Sequence, residues 1–169
     1  GQRIVSSAVA LSFNSVPDHL AIIGAGYIGL ELGSVWSRLG ARVTVLEMMP
    51  KIATTLDGQI SRLLQRILQK QGLQFQLQTR VLRAEARADD ILLELQSDGD
   101  TRELVCDRLL VAVGRRPRTH GLNLEQIGIE THAKTGQVIV DKQFRTTIKH
   151  IYAIGDLVPG PMLAHKASA

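Results

Sequence analysis

Gly24, Gly26 and Gly29 stand in the order Gly24-Ala25-Gly26-Tyr27-Ile28-Gly29, a G-x-G-x-x-G spacing, and an acid, Glu47, follows Gly29 by 18 residues. Each glycine answers a separate physical need. The first permits a tight turn, the second lets a pyrophosphate come close to the backbone, and the third lets a helix pack tightly on a strand. A helix that begins at such a turn aims free N–H groups and the positive end of its dipole at the phosphates. Glycine-rich turns are common, so the hexapeptide gains weight only in context: a buried strand before it, a helix after it, then a second strand ending in an acid. LAIIGA, the helix that follows and RVTVLE supply that context. The pattern predicts a dinucleotide site made from Gly24, Ala25, Gly26, Tyr27, Ile28, Gly29 and Glu47. The rival reading is a turn whose glycines serve packing alone.

Glu47 also bears on which dinucleotide. A carboxylate there accepts hydrogen bonds from both hydroxyls of the adenosine ribose. It repels a 2′-phosphate, and like charges brought together cost on the order of several kcal/mol. Met48, Met49 and Pro50 follow, with no arginine to accommodate such a phosphate. NAD(H) is therefore expected over NADP(H); a solvated strand end is the alternative for Glu47. Glu31, one turn into the helix, reads from its position alone as an acid favoured by the dipole.

No comparable constellation marks a catalytic centre. His19, His120, His132, His150 and His165 lie far apart without metal-ligand spacing. No G-x-S-x-G elbow occurs, and Ser6, Ser7 and Ser15 have no identifiable base near them. The single cysteine, Cys106, excludes an internal disulfide and a cysteine-rich metal site. In the apolar run LVCDRLLVAVG it reads as a small core residue. No catalytic and no metal-ligating residue is assigned.

The elements that must hold the glycines in place are legible from periodicity. LAIIGA is a short continuous apolar run, as for a strand buried on both faces. The helix after it carries Ile28, Leu32, Val35, Trp36 and Leu39 at helical spacing and stops at Gly40. DGQISRLLQRILQKQG reads as a second helix, with Asp57 as N-cap, Gly72 as stop and Ile60, Leu63, Leu64, Ile67 and Leu68 as its apolar face. With LQFQLQ as a third strand, the order is one half of a doubly wound α/β fold. TRVLRAEARADDILLELQSDGDTRELVCDRLLVAVG then reads as an antiparallel meander closed by a buried strand that returns to the sheet. After GRRPR at 114–118, a short helix is expected near Leu122 to Ile127 and strands at QVIVD and HIYAIGD. The first sixteen residues read as a connecting segment with a turn at Pro17.

Composition narrows the class. In 169 residues, 44% are apolar and 21% charged, ordinary for one soluble domain with a piece of a second. The formal charge is +4, and six aromatics (one Trp, two Tyr, three Phe) are too few for a base-stacking platform, so nucleic acid is not an expected partner. No apolar stretch is long enough to cross a bilayer. GQRIVSSAVA has no targeting signature. A soluble intracellular protein is expected.

GAGYIGLELGSVWSRLGA, LLVAVGRRPRT and IYAIGDLVPGPMLAHKA together resemble, in order and spacing, the pyridine-nucleotide disulfide oxidoreductases over essentially the whole chain. Within that family the likeness is greatest to the dihydrolipoamide dehydrogenase branch, through LELGSVW, LQKQG, VGRRP and GPMLAHKA. Glutathione and mercuric reductases share the frame at a greater distance. The resemblance implies that Glu31 lies beside the nicotinamide end of NAD and that Val81 and Gly114 line its adenine and ribose side. Tyr27 matches a position that covers the nicotinamide pocket; it is tyrosine in glutathione reductases and often aliphatic in the dihydrolipoamide branch. Asp156 resembles the aspartate that hydrogen-bonds the ribityl chain of FAD. Met162, Leu163, Ala164 and His165 match the helix start that approaches the flavin ring.

The resemblance also implies parts that these residues do not contain: an FAD-binding glycine motif with a redox-active C-x-x-x-x-C pair, and a dimerisation domain bearing a His–Glu acid/base pair. The chain is accordingly expected to be a middle segment. Residues 1–11 would be a linker from an FAD domain, 12–116 an NAD-binding Rossmann-like domain, and 117–169 a return into the FAD-binding region. The implied parent is a homodimer in the bacterial cytoplasm or mitochondrial matrix. It oxidises dihydrolipoyl groups on the lipoyl-bearing subunits of 2-oxo acid dehydrogenase complexes, passing electrons through a disulfide and FAD to NAD+. The segment alone would bind NAD(H) weakly and without turnover. Two other readings are a segment of another flavin disulfide reductase or NADH oxidase, and a stand-alone NAD sensor or interaction module.

Overall fold

The computed structural model describes residues 3–168, apart from the side chains of residues 165 and 166. Contacts divide the chain into two units, Gly1–Gly114 and Arg115–Ala169.

The first unit runs β1 (Ile4–Val5), α1 (Ser7–Ala10), β2 (His19–Ile23), α2 (Tyr27–Arg38), β3 (Arg42–Leu46), α3 (Gly58–Lys70) and β4 (Leu73–Gln76). Then follow β5 (Arg80–Ala86), β6 (Ile91–Ser97), β7 (Asp100–Cys106) and β8 (Arg108–Val111). Five strands form a parallel sheet in the order β1-β8-β2-β3-β4, and β5-β6-β7 form an antiparallel sheet of their own. Side chains alternate across a strand, and both faces of the parallel sheet are covered. Leu20, Ile22, Val43, Val45 and Leu110 pack with residues of the helices. Ala21, Leu46 and Leu109 pack with Ile91, Leu93, Leu95 and Cys106 of the meander. This double burial is why LAIIGA carries no polar alternation. Helices thus flank one face and the meander the other, where a fully doubly wound sheet would have helices on both.

The faces that the two helices bury differ from expectation. On α2, Val35 and Leu39 are exposed, whereas Gly29, Leu30, Leu32, Gly33 and Trp36 are buried. A Cβ on Gly33 would lie 3.0 Å from Ile22 Cδ1, so α2 meets the sheet through its glycines, a face that a count of apolar side chains does not reveal. On α3, Asp57 Oδ1 accepts from Gln59 N–H (2.7 Å) and Ile60 N–H (3.4 Å), capping the helix as expected. Its apolar face is only partly used: Leu68 is buried and Leu64 packs on the core, but Ile60, Leu63 and Ile67 are exposed. Ser61 is buried in their place, its hydroxyl donating to Ile52 O (2.6 Å).

The N-terminal stretch is more than a connection. Ile4 and Val5 pair with Leu109 and Leu110 at the edge of the parallel sheet. Ala10 is fully buried, and its carbonyl accepts from Trp36 Nε1–H (3.2 Å).

The second unit is built mainly of turns around Ile129, Val138, Ala153 and Val158. Residues 122–127 form turns and no helix. Gln126 N–H reaches back to Asn123 O and Gly128 N–H to Glu125 O, with Asn123 itself left-handed (φ 50°). A left-handed residue cannot sit inside a right-handed helix. QVIVD and HIYAIGD contribute one isolated antiparallel bridge each, Thr131–Val138 and Arg145–Tyr152, and no strand. Gly155–Leu157 is a 3-10 turn and α4 spans Ala164–Ser168.

Candidate dinucleotide site

In open α/β sheets a ligand crevice lies beyond the carboxyl ends of the strands, where the strand order reverses. Here that point is between β2 and β8: from β2 the chain moves one way to β3 and β4, while β8 and β1 lie on the other side. Gly24 leaves β2 at this point with φ 102°, and its N–H donates to Leu46 O (2.8 Å). A Cβ on Gly24 would lie 2.5 Å from Ala112 O. Only glycine lets the two strand ends approach so closely.

The other two glycines of the motif have opposite surroundings. A Cβ on Gly29 would fall 2.2 Å from Gly24 O and 3.2 Å from Ile22 Cγ2, so this residue is the contact between helix and strand. A Cβ on Gly26 would meet nothing within 4 Å. Its backbone is extended (φ −77°, ψ 176°), a conformation open to any residue, so neither strain nor protein packing requires glycine there. The space beside it is open. Gly26 is also the N-cap of α2 and offers no side chain to it, which leaves first-turn N–H groups unclaimed by a cap.

Glu47 joins this turn directly. Its Oε2 accepts from Ala25 N–H (2.7 Å) and its Oε1 from Met49 N–H (2.8 Å). The carboxylate is thereby fixed beside the glycine turn, with lone pairs left on both oxygens for further donors. The loop after β3 is tied to the same place, because Ala53 N–H donates to Ala25 O (2.8 Å). Sequence spacing anticipates the acid but not its grip on Ala25, which depends on β2 and β3 lying side by side.

The structure therefore gathers Gly24, Ala25, Gly26, Tyr27, Ile28, Gly29 and Glu47 at the carboxyl ends of β2 and β3. Tyr27 and Glu31 are exposed, and with Gly26, Leu30, Val35 and Leu56 they line a groove of about 570 Å3 between α2, α3 and residues 53–56. Gly114 (φ 123°) closes the first unit three residues after β8. Val81 lies on β5, half-buried against the meander core. In the second unit, Asp156 Oδ2 is 3.1 Å from Arg115 Nη2, an ion pair that sequence reasoning did not foresee although GRRPR supplied the arginine. Met162 and Leu163 are partly buried there and Ala164 is exposed; the side chain of His165 lies outside the described residues.

Away from the glycine turn, two buried titratable groups, Cys106 and His19, read as structural. Cys106 is buried, and burial pushes its thiol up to about 11, far from a reactive thiolate. His19 is buried on β2, with Nδ1 2.9 Å from Val105 O and Nε2 2.9 Å from Thr44 Oγ1. Burial, and then the Arg42 guanidinium beside it, lowers its pKa. Among the described residues no group of three or more His, Cys, Asp or Glu could hold a metal ion, and no helix is long and apolar enough to cross a membrane.

The family model for pyridine nucleotide-disulphide oxidoreductases matches residues 1–169. The chain belongs to that family. The family's members are FAD- and NAD-dependent disulfide reductases. This member is 46% identical over 168 residues to the mitochondrial dihydrolipoyl dehydrogenase of Pisum sativum, covering 98% of this chain and 33% of that one. It is 51% identical over 168 residues to the mitochondrial dihydrolipoyl dehydrogenase of Bos taurus, with coverages of 97% and 33%. Among solved structures it resembles the HOCl-induced flavoprotein disulfide reductase RclA of Escherichia coli, with TM-score 0.86 and 32% identity, over 98% of this chain and 37% of that one. The chain spans about a third of the length of the curated relatives it matches. The parallel sheet with its antiparallel meander is the fold of these flavoprotein reductases.

Proposed function

We propose that this chain carries the NAD(H)-binding part of a dihydrolipoamide dehydrogenase. In this reading residues 12–116 hold the dinucleotide and 117–169 lead toward the FAD-binding region. The single observation that carries it is the contrast between Gly29, pressed on Gly24 O, and Gly26, open to solvent beside the Glu47 carboxylate. A turn that is glycine-rich for packing would need the first and third glycines but not the second.

The residues would divide the work by chemistry. The N–H groups at the start of α2 hold the pyrophosphate against Gly26, where no side chain intervenes. Glu47 accepts the adenosine ribose hydroxyls on the lone pairs left by Ala25 and Met49, while Val81 and Gly114 border the adenine and ribose side. Tyr27 and Glu31, exposed at the mouth of the α2–α3 groove, position the nicotinamide end. When bound, NAD+ supplies a hydride acceptor, and the chain's own contribution is to orient it and select it by charge. Asp156, paired with Arg115, and the helix start at Met162 to His165 serve FAD in the longer protein. That protein oxidises dihydrolipoyl groups of 2-oxo acid dehydrogenase complexes as a homodimer, in bacterial cytoplasm or mitochondrial matrix.

A second reading, a segment of another flavin disulfide reductase, is favoured by Tyr27 and by the likeness to RclA. The two readings share the site and differ in the electron donor. The test is calorimetric titration of the chain with NADH and NADPH, beside Glu47→Ala. Selective NADH binding that Glu47→Ala weakens at least tenfold is expected, with no NAD-dependent lipoamide turnover, because the one thiol, Cys106, is buried. Lipoamide turnover by this chain, or NADH binding indifferent to Glu47, would overturn the proposal.

A further inference from the structure

Met48, Met49 and Pro50 follow Glu47 without an arginine, but Arg80 lines a recess beside Met48. Thr79 N–H donates to Glu47 O (2.9 Å) and Gln78 N–H to Met49 O (3.2 Å). These two bonds lay the start of β5 alongside the acid-bearing loop. Arg80, the next residue, lines a recess of about 350 Å3 with Met48, Gln78 and the β6–β7 turn at Asp98.

Two other cations near Glu47 are already engaged. Lys51 Nζ donates to Leu56 O (3.0 Å). Arg102 Nη2 donates to Gln76 Oε1 (3.1 Å), and Gln76 O in turn accepts from Glu47 N–H. The Arg80 guanidinium has no hydrogen-bond or ion-pair partner among the described residues. Arg80 is exposed and lines the recess together with Met48, the residue that follows Glu47. A guanidinium in that state is suited to a phosphate, which it binds through two parallel N–H groups.

We propose that Arg80 is a second, latent determinant of dinucleotide choice, one that rests on the reading of Glu47 as the ribose acid. In the native chain the Glu47 charge alone excludes a 2′-phosphate. Once that charge is removed, Arg80 receives the phosphate and the site accepts NADP(H). Asp98, the carboxylate that shares the recess, limits the strength of this capture.

The experiment is calorimetry on the full chain with NADH, NADPH, 5′-AMP and adenosine 2′,5′-bisphosphate. The proteins are the wild type, Glu47→Gln, Glu47→Gln/Arg80→Gln and Glu47→Gln/Arg102→Gln, with circular dichroism to establish folding. Glu47→Ala replaces Glu47→Gln if the amide disturbs the turn. Glu47→Gln is expected to bind the bisphosphate and NADPH at least tenfold more tightly than the wild type does. Arg80→Gln should abolish that gain, Arg102→Gln should not, and the gain should shrink with added salt. A gain that survives Arg80→Gln, or no gain at all, overturns the inference, while selective NADH binding by the wild type still supports the dinucleotide reading. A wild type that binds neither NADH nor 5′-AMP overturns the dinucleotide reading itself, and this inference falls with it.

Discussion

Replacing Gly29 and Gly26 separately with alanine divides packing from ligand approach within one motif. At Gly29 the added methyl would lie 2.2 Å from Gly24 O, a backbone atom that cannot rotate away. Relief requires α2 to move about 1 Å or more off the strand, because ordinary contacts to a Cβ begin near 3.4 Å. Overpacking of this kind costs about 1–3 kcal/mol, and a backbone obstacle places it at the upper end. Alanine returns at most about 1 kcal/mol through helix propensity. The net loss is about 2 kcal/mol, which lowers the Tm of a chain this size by roughly 4–8 °C. At Gly26 the methyl meets nothing, and φ −77° suits alanine. A small entropic gain in the unfolded chain offsets a poorer N-cap, so Tm should hold within a few degrees. The same methyl occupies the space kept for the pyrophosphate, so NADH affinity should fall at least tenfold, about 1.4 kcal/mol. Scanning calorimetry and NADH titration read both quantities. Equal destabilisation by the two substitutions, or full NADH affinity in Gly26→Ala, would refute the division of labour among the glycines.

Other expectations concern the framework. His19 is held neutral in the fold, its pKa lowered from 6.5, so the unfolded chain binds the extra proton and stability falls as pH drops through 6.5. Unfolding free energies from urea titrations should fall below pH 6.5 with a slope of up to about 1.4 kcal/mol per pH unit from this one group, and His19→Gln should flatten that part of the curve. Cys106, with its thiol raised to about 11, should resist Ellman's reagent at pH 8 and react once guanidinium unfolds the chain. Deleting residues 1–11 removes β1 and the Ala10 carbonyl that holds the Trp36 indole. The truncated chain should therefore melt earlier with red-shifted tryptophan emission; an unchanged melt would mean that this stretch is only a tether.

What the sequence determined alone is whatever depends on local pattern. The Gly24–Gly29 spacing, the apolar runs of β2 and β8, the Asp57 cap and the alternation of the meander each reflect constraints spanning a turn or two, and each is found where pattern puts it. Resemblance, not spacing, supplied the roles of Glu31, Val81 and Asp156. One miss is local: residues 122–127 are expected to be helical but turn, with Asn123 in a left-handed backbone. Where the pattern misleads elsewhere, the cause is tertiary. Val35 and Leu39 look like core, yet α2 meets the sheet through Gly29 and Gly33, whose burial no hydrophobic count can register. The Glu47 grip on Ala25 and the approach of Arg80 to Met48 belong wholly to the fold. Each joins residues more than twenty apart in sequence, and their meeting depends on which strands lie side by side, a choice made by burying both faces of one sheet.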